Sequence, residues 1–480
     1  MAISILPVPL NVYADQQRML LLPTDQGRAP LPVPNSTRSF WIDTPGANPL
    51  AKEGSQGTLT ADADVCIIGS GITGISAAYH LGIALEGNRY TETPLKVVVL
   101  EARDFCAGAT GRNGGHLTPW VFRDFSPHAT AFGNDEALRG IRLEQHTAAE
   151  IVKIIKEHTL ESAVDLVEGG HIDLMLNAEE VADMRTDYEA AKAAGANVDT
   201  VRWMDEEEMI ANYGTSYPGV SVPGHNLWPL KFVTEVYKLA AASPQLSLAL
   251  HTNTPVTSLS SNGDSPRRWN VTTPRGSVHC SYVLHATNAY ASHLLPHMTG
   301  PAGIIPTRGQ VIATRASAEL DVISRRSWSA NQGSEYWFPR PVDAANGETR
   351  PLVILGGGRE AETPSYELYE ADDSVLNPQV GAVLRKFLPA VFPGRYEEGA
   401  EPEMEWTGIM GYTASGDPFV KKPAEAEAFK GQYISAGYSG HGMPRAFACA
   451  DAVAQMIVAD ILGKAWTPPD WLPRHYITQL

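Results

Sequence analysis

Residues 64–81 read DVCIIGSGITGISAAYHL. The apolar run that ends at Ile68 is typical of a buried strand, and Gly69, Gly71 and Gly74 follow it in a GxGxxG pattern that opens a helical one. In this setting the first glycine allows a tight turn, the second lets the backbone approach a pyrophosphate, and the third lets the helix pack on the strand. The sequence therefore predicts a dinucleotide-binding turn, although the motif alone would also suit an ordinary glycine-bearing turn.

An acidic residue ends the next predicted strand. Residues 96–100 (KVVVL) predict the second parallel strand, and Glu101 follows, where a carboxylate can accept hydrogen bonds from both ribose hydroxyls of an adenosine. The spacing from Gly74 is a little long, and the polar insertion at 86–93 accounts for the surplus. Because a Glu with no Arg directly after it disfavours a 2′-phosphate, NAD or FAD remains. The alternative is that Glu101 is only a solvated charge.

Two further glycine-rich segments distinguish between these cofactors. Residues 108–116 read GATGRNGGH, and residues 437–443 read GYSGHGM between a predicted strand at 432–435 and an apolar helix from Ala446. A flavin ring lies against backbone, where side chains would obstruct it, and the second junction can direct N–H groups at the electron-rich edge of a reduced flavin. The segments favour FAD, the alternative being two unrelated glycine loops.

Composition excludes several classes of protein. The 480 residues carry 37 Lys and Arg against 54 Asp and Glu, a formal charge of −17, which is the wrong sign for nucleic-acid binding. The four cysteines have no metal-type spacing, so no metal site is expected. No run is long and apolar enough for a membrane span, and the first ten residues lack a secretory pattern, so a cytoplasmic protein is expected.

Strand and helix patterns interleave, which predicts an α/β fold. Periodicity predicts helices over 135–157 and 178–194, short strands over 173–176 and 246–250, and a loop over 341–350. The informative segments fall in separated blocks, so we expect a Rossmann-type cofactor domain assembled from residues 61–125, 224–299 and 406–466. Residues 126–223 and 300–405 would form a substrate domain, residues 1–60 an extended surface arm and residues 467–480 a tail.

These motifs resemble the D-amino-acid-oxidase-like family of FAD enzymes, which includes glycine, sarcosine and γ-glutamylputrescine oxidases. The resemblance is strongest to the γ-glutamylputrescine oxidase branch. The resemblance also rests on ATNA at 286–289, ILGGG at 354–358 and EWTG at 405–408, in the family's order. It implies a large mixed or antiparallel sheet over the flavin face and oxidation of a small amine or amino acid. The aromatic hydroxylases are similar only at the first turn.

Three departures from the family pattern concern the cofactor tether and the substrate. Met410 matches the Cys that carries the flavin in sarcosine oxidases, and Asn113 matches, approximately, a tethering His of related dehydrogenases. The resemblance therefore implies FAD bound without a covalent link. Pro444 replaces a Lys that contacts substrate and flavin in sarcosine oxidases, so the resemblance alone does not assign a small carboxylate-bearing amino acid as the substrate.

The motifs and the resemblance together assign the cofactor contacts to the three glycine segments and their surroundings. The expected residues are Gly69, Gly71, Ile72, Thr73, Gly74, Glu101, Ala102, Arg103, Gly108, Ala109, Thr110, Arg112, Asn113, Gly114, Gly115, His116, Val256, Ala286, Thr287, Gly411, Gly440, His441, Gly442 and Met443.

The catalytic candidates are His441, His116, Tyr336 and Arg308. Each histidine ends a flavin-side glycine segment, Tyr336 offers an aromatic wall, and Arg308, like Arg359, suits a carboxylate. Structural roles for the histidines, core packing for the tyrosine and surface ion pairs for the arginines are the alternatives. The expected enzyme passes electrons from an amine to dioxygen. A dehydrogenase with another acceptor and a non-catalytic flavoprotein subunit remain open.

Overall fold

The structure is a computed structural model that describes residues 6–88, 93–263, 265–423 and 427–478. Residues 89–92 of the predicted insertion, the first five residues of the arm and the last two of the tail lie outside this description. The strands are β1 (Asp62–Ile68), β2 (Leu95–Leu100), β3 (His116–Leu117), β4 (His171–Leu174), β5 (Arg202–Met204), β6 (Gly219–Val222), β7 (His225–Asn226), β8 (Leu246–His251), β9 (Ser258–Ser261), β10 (Trp269–Thr273), β11 (Gly276–His285), β12 (Ile305–Arg315), β13 (Ser327–Ala330), β14 (Glu335–Pro339), β15 (Leu352–Gly357), β16 (Met404–Tyr412), β17 (Phe419–Lys421) and β18 (Gln432–Ala436). The helices are α1 (Tyr13–Leu20), α2 (Phe40–Asp43), α3 (Ile72–Gly87), α4 (Phe125–Phe132), α5 (Asn134–Glu157), α6 (Ala178–Ala193), α7 (Glu206–Tyr213), α8 (Pro229–Ala241), α9 (Ala291–Leu294), α10 (Leu320–Ile323), α11 (Pro378–Val391), α12 (Ala446–Ile461) and α13 (His475–Thr478).

The first sheet has the strand order β17-β18-β11-β1-β2-β8, with β10 and β9 attached beside β11. From β18 to β8 neighbouring strands run parallel, whereas β17 is antiparallel. The last four residues of β1 are all buried, because the strand lies inside the sheet and both of its faces are covered. Val65 and Ile67 pack in the apolar core that includes α3 and α12, and Cys66 and Ile68 pack in a second cluster with residues of β10 and β11. The predicted Rossmann-type α/β arrangement is confirmed.

The turn between β1 and α3 requires glycine at two points. Gly69 has φ 113°, a conformation that side-chain-bearing residues rarely adopt, and a β-carbon on it would lie 2.6 Å from the carbonyl oxygen of Ala286. A β-carbon on Gly74 would lie 1.9 Å from the carbonyl oxygen of Gly69. The third glycine of the motif therefore allows the helix to pack directly against its own turn.

The second sheet has eight strands in the order β16-β12-β15-β14-β13-β4-β6-β5. Only β13 and β4 pair in parallel, and the other pairs are antiparallel, so the sheet is mixed, as the resemblance implied. Helix α11 covers one face and shares an apolar cluster with Trp328 and Trp337. A two-stranded sheet of β3 and β7 is separate from both.

Two element positions differ from the sequence prediction. Strand β16 belongs to the second sheet, where it pairs with β12 along nine residues, although the expected boundary at 406 assigns most of it to the cofactor domain. Strand β4 covers 171–174 rather than 173–176. The division into two domains stays a prediction.

The arm and the tail are more deeply packed than an extended surface segment would be. The arm contains α1 and α2, and Trp41 has no exposed surface because it packs among Phe40, Trp228 and Phe338. In the tail, the buried Tyr476 donates a hydrogen bond to Asp417 at 2.9 Å. In the part of the chain described here, no helix has the length and apolar character needed to cross a bilayer.

Candidate active site

A cavity of about 660 Å³ collects residues from both large sheets. Its lining includes the ends of β1 and β2 on one side and β12, β14 and β16 on the other. All the predicted cofactor residues line it except Gly74 and Gly411, and so do His441, His116 and Tyr336. Ligands of open α/β sheets bind at the carboxyl ends of the strands, which is where this cavity begins.

The first turn of α3 forms one end of the cavity. Gly71, Ile72 and Thr73 line it at the beginning of the helix, where backbone N–H groups favour an anion. Gly71 packs closely on Thr110, whose hydroxyl accepts a hydrogen bond from the N–H of Ile72 at 3.1 Å. Gly74 does not line the cavity because its hydrogen atoms face Gly69, so its part is to seat the helix.

Glu101 is fixed rather than solvated. The residue is 8% exposed, and its carboxylate accepts hydrogen bonds from the backbone N–H of Ser70 at 2.9 Å, the Ser70 hydroxyl at 2.7 Å and the N–H of Arg103 at 3.0 Å. The alternative of a free surface charge is therefore wrong. A carboxylate has about four acceptor positions, so at least one stays available to a ligand in the cavity.

The glycine segment after β2 serves the protein's own packing as well as the cavity. A β-carbon on Gly114 would lie 2.4 Å from Cε2 of Tyr336, and one on Gly356 would lie 2.4 Å from Cζ of the same ring. The tyrosine ring therefore lies between two backbone segments that lack side chains. Gly108 is different, because a β-carbon there would meet nothing within 4 Å. Of these glycines, Gly108 has the open surroundings that were expected of the segment.

Arg103 and Arg112 reach the cavity with their hydrogen bonds already directed into the protein. Arg103 pairs with Asp373 at 2.9 Å and donates to the carbonyl oxygen of Ala107 at 2.8 Å. Arg112 donates to the carbonyl oxygens of Ala107 and Thr407, at 3.0 and 2.9 Å. Burial lowers the pKa of the Arg112 guanidinium to about 10, and Asp373 opposes that shift. These arginines connect distant segments that surround the cavity.

Arg308 does not line the cavity, contrary to the expectation that it meets a substrate. It pairs with Glu367 at 2.5 Å and donates to the carbonyl oxygen of Asp372 at 3.0 Å. Arg359 lines the cavity instead, and its guanidinium donates to the Tyr412 hydroxyl at 2.9 Å. Tyr336, beside them, has its pKa raised to about 12 by burial and then by Tyr412. Tyr336, Tyr412 and Arg359 thus form an aromatic and cationic wall of the cavity.

His116 is a neutral residue of the cavity wall. Burial, and then the nearby His171, lower the pKa of His116 to about 3. Its ring nitrogens lie 3.2 Å from the carbonyl oxygens of Gly114 and Trp337. A neutral imidazole has one N–H, so it donates to only one of these carbonyls. The ring joins β3 to β14 and leaves little freedom for proton transfer.

His441 lies on an ion-pair network that the sequence interpretation missed. Its Nε2 is 2.9 Å from a carboxylate oxygen of Glu144, and its ring stacks on Trp120 with centroids 4.6 Å apart. Arg445 donates to the other oxygen of Glu144 at 2.8 Å. Burial alone would raise the pKa of Glu144, but His441 and Arg445 hold it below its ordinary value. Glu144 occupies a buried position of the apolar face of α5, and this charge among apolar positions was the available signal.

Met410 and Asn113, at the positions of the family's tethering residues, both line the cavity. Neither offers a nucleophile, and the Asn113 side-chain oxygen accepts the N–H of Gly115 at 2.8 Å. Gly411 follows Met410 but does not line the cavity, and a β-carbon on it would lie 2.8 Å from the side-chain oxygen of Asn288. Burial raises the pKa of the Cys106 thiol well above its usual value, so it is a poor attachment point.

Comparison with known proteins bears on this geometry. Residues 64–456 match the family model described as FAD dependent oxidoreductase. The chain is 25% identical to the probable oxidoreductase OrdL of Rhizobium meliloti over 413 residues, 84% of each chain. It is 25% identical to the gamma-glutamylputrescine oxidoreductase of Escherichia coli over 418 residues, 83% of this chain and 84% of that protein.

Solved structures share the fold. Glycine oxidase from Geobacillus kaustophilus has a TM-score of 0.61 at 20% identity, with 85% of this chain and 97% of that one covered. L-proline dehydrogenase from P. horikoshii has a TM-score of 0.64 at 18% identity, with 87% and 98% covered.

Proposed function

The chain belongs to the family of FAD-dependent oxidoreductases, and on that premise we propose that it oxidises the carbon–nitrogen bond of a small amine or amino acid with dioxygen as the electron acceptor. The substrate loses a hydride and a proton to become an imine, which water hydrolyses to a carbonyl compound and an amine. The two electrons and two protons leave with dioxygen as hydrogen peroxide. The names of the glycine oxidase and the gamma-glutamylputrescine oxidoreductase support an amine as the donor.

The polar atoms of the cavity fit FAD. Gly71 and the start of α3 suit the pyrophosphate, and Glu101 suits the adenosine ribose. The hydroxyls of Thr118, Thr287 and Tyr290 line the cavity and have no hydrogen-bond partner among the described residues. Buried hydroxyls usually have partners, so a polar ligand in this cavity accounts for them.

The observation that carries the proposal is the continuity of this cavity from the dinucleotide turn to the wall of Tyr336, Tyr412 and Arg359. When bound, FAD supplies the two-electron acceptor for a C–H bond next to nitrogen. Tyr336, held between two glycines, limits where a substrate lies. Arg359 is 9% exposed and oriented by Tyr412, so it offers a fixed cation for a substrate carboxylate.

The proposal is tested with a panel of amines and amino acids that includes donors with a carboxylate and donors without one. The measurement is the loss of flavin absorption at about 450 nm under anaerobic conditions. We expect at least one amine to reduce the flavin, and air to reoxidise it with formation of hydrogen peroxide. Slow reoxidation in air after fast reduction would contradict the dioxygen part and indicate a dehydrogenase. A flavin that no amine reduces would contradict the amine part.

Arg359→Lys separates carboxylate recognition from the rest of the reaction. Lysine keeps the positive charge but loses the planar fork, so kcat/KM should fall for carboxylate-bearing donors and change little for simple amines. Equal losses for both kinds of donor would assign Arg359 a structural role.

A further inference from the structure

Helix α1 of the N-terminal arm presents one face to the cavity. Tyr13, Gln16, Gln17 and Leu20 all line it, and their spacing of three, four and seven positions places them on one side of a helix. The opposite side is solvent-exposed, where Arg18 and Asp15 form a surface ion pair at 2.6 Å. The helix is therefore part of the cavity wall.

A buried hydrogen bond fixes this face. Gln16 is 6% exposed, and its amide donates to a carboxylate oxygen of Glu360 at 2.9 Å. Glu360 is itself buried and adjoins Arg359 in the wall assigned to the substrate. Leu20, one turn further along, is 1% exposed. Through Gln16 the helix thus packs beside the part of the cavity wall that contains Arg359.

The segments on both sides of α1 are also anchored. Before the helix, Val8 is buried in the apolar cluster of the second sheet, and Asn331 donates to the carbonyl oxygen of Pro9 at 3.2 Å. After it, the N–H of Ala29 donates to the Ser292 hydroxyl at 2.9 Å. A helix tied at both ends has a fixed position relative to the substrate wall.

Tyr13 lies among the polar groups of that wall. The carboxylate of Asp124 raises the pKa of the Tyr13 hydroxyl, and burial and the neighbouring Tyr412 act in the same direction. Asp124 and Tyr412 both line the cavity. The hydroxyl of Tyr13 is therefore a neutral hydrogen-bonding group in the part of the cavity that Asp124 and Tyr412 share.

We propose that α1 is a specificity element of the active site. Leu20 limits the size of the amine's carbon chain, and Tyr13 offers a hydrogen bond to a polar group at the end of that chain. Gln16 positions the helix. The proposal rests on the proposed function. A leucine in an apolar pocket discriminates between substrates by bulk, whereas a hydroxyl discriminates by the presence of a matching polar group.

The first test uses the amine that reduces the flavin best and its homologue one methylene longer. Discrimination by a single methylene amounts to about 10-fold to 200-fold in kcat/KM. Leu20→Ala should therefore shift the ratio of kcat/KM toward the longer amine by about tenfold. Tyr13→Phe should raise KM for donors with a polar end and leave alkylamines unchanged. Asp15→Asn, on the outer face of α1, is the matched control and should leave the ratio unchanged.

The second test needs no substrate. Dithionite, a small anionic reductant, delivers electrons to the flavin of the holoenzyme without oxygen, and stopped-flow absorption follows the reaction. Opening the wall with Leu20→Ala should accelerate this reduction severalfold over the wild type and Asp15→Asn. If Leu20→Ala does not fold, Leu20→Val takes its place, with a smaller shift expected.

The two tests distinguish failure of this inference from failure of the proposed function. If no amine reduces the flavin, the amine function fails and the dithionite rates still decide whether α1 closes the cavity. If Leu20 and Tyr13 variants match Asp15→Asn in both dithionite rate and substrate ratio, α1 is only a structural cover and the inference is overturned.

Discussion

Nε2 of His441 lies 2.9 Å from the carboxylate of Glu144, so the histidine beside the C-terminal glycine junction is oriented by a residue of helix α5. Because a carboxylate only accepts, an N–H at Nε2 donates to Glu144, and stacking on Trp120 fixes the plane of the ring. This pairing makes His441 a fixed group in the cavity wall rather than a loose side chain.

His441→Ala should slow flavin reduction while FAD stays bound. Removing one donor that stabilises developing negative charge typically costs about 10²–10³ in rate, whereas we expect the turn at Gly71 and Glu101 to hold the cofactor. Anaerobic stopped-flow with a reducing amine measures the effect. A variant reduced at the wild-type rate would make His441 structural, and a colourless variant would make it a binding residue.

Gly114→Ala should destabilise the protein by about 1–3 kcal/mol, because its β-carbon would lie 2.4 Å from the Tyr336 ring and overpack the wall. Gly108→Ala is the control for stability, since open space surrounds that position. Gly108→Ala should leave the free energy of unfolding within about 0.5 kcal/mol of the wild-type value. Urea unfolding of both variants checks the contrast, and equal stabilities would contradict the packing role of Gly114.

The sequence predicted the parts of this structure that depend on neighbours along the chain. The turn from Ile68 to Gly74 and the carboxylate at Glu101 follow from local rules of strand, glycine and helix. The partner of Gly114 is Tyr336, which belongs to another sheet, so no local pattern shows that the glycine accommodates a tyrosine ring. The sequence also could not show that Arg359 and not Arg308 lines the cavity, because only folding places Glu367 next to Arg308.

Helix α1 and Glu144 illustrate a second limit. The arm has a composition typical of an extended segment, yet Gln16 finds a buried partner in Glu360, and long-range packing overrides the local tendency. Glu144 lies on a mostly apolar helix face, which indicates a buried charge with a partner but not which partner.

Glu101→Gln should weaken FAD binding without unfolding the chain. Loss of charge-assisted hydrogen bonds to the ribose costs about 2–4 kcal/mol, which corresponds to a rise in Kd of about 30-fold to 700-fold. Titration of the apoprotein with FAD measures it. Asp104→Asn is the control, because Asp104 follows the same strand but pairs with Lys52 at the surface. A variant that keeps the wild-type Kd would show that Glu101 only organises the turn through Ser70.

FAD should be released by acid, because Met410 and Asn113 provide no nucleophile at the family's tethering positions. Precipitation with trichloroacetic acid should leave the yellow colour in the supernatant. Flavin retained in the pellet would contradict the non-covalent assignment and point to Cys106, despite its burial.

The stability of the protein should fall as the pH rises from about 6.5 to 9 through the titration of His128. Burial would lower the pKa of His128, but its contact with Asp417 raises it to about 9, and Arg445 opposes this rise. Because the folded pKa lies above the unfolded value, the stabilisation is complete below about pH 6.5 and is lost as the pH passes through 9. The shift corresponds to roughly 3 kcal/mol. The free energy of unfolding, measured with urea across this range, should therefore fall with pH in the wild type. His128→Gln should remove this fall, and His158→Gln, which changes an exposed histidine, should retain it. If the slope persists in His128→Gln, the ion pair of His128 with Asp417 does not carry the pH dependence.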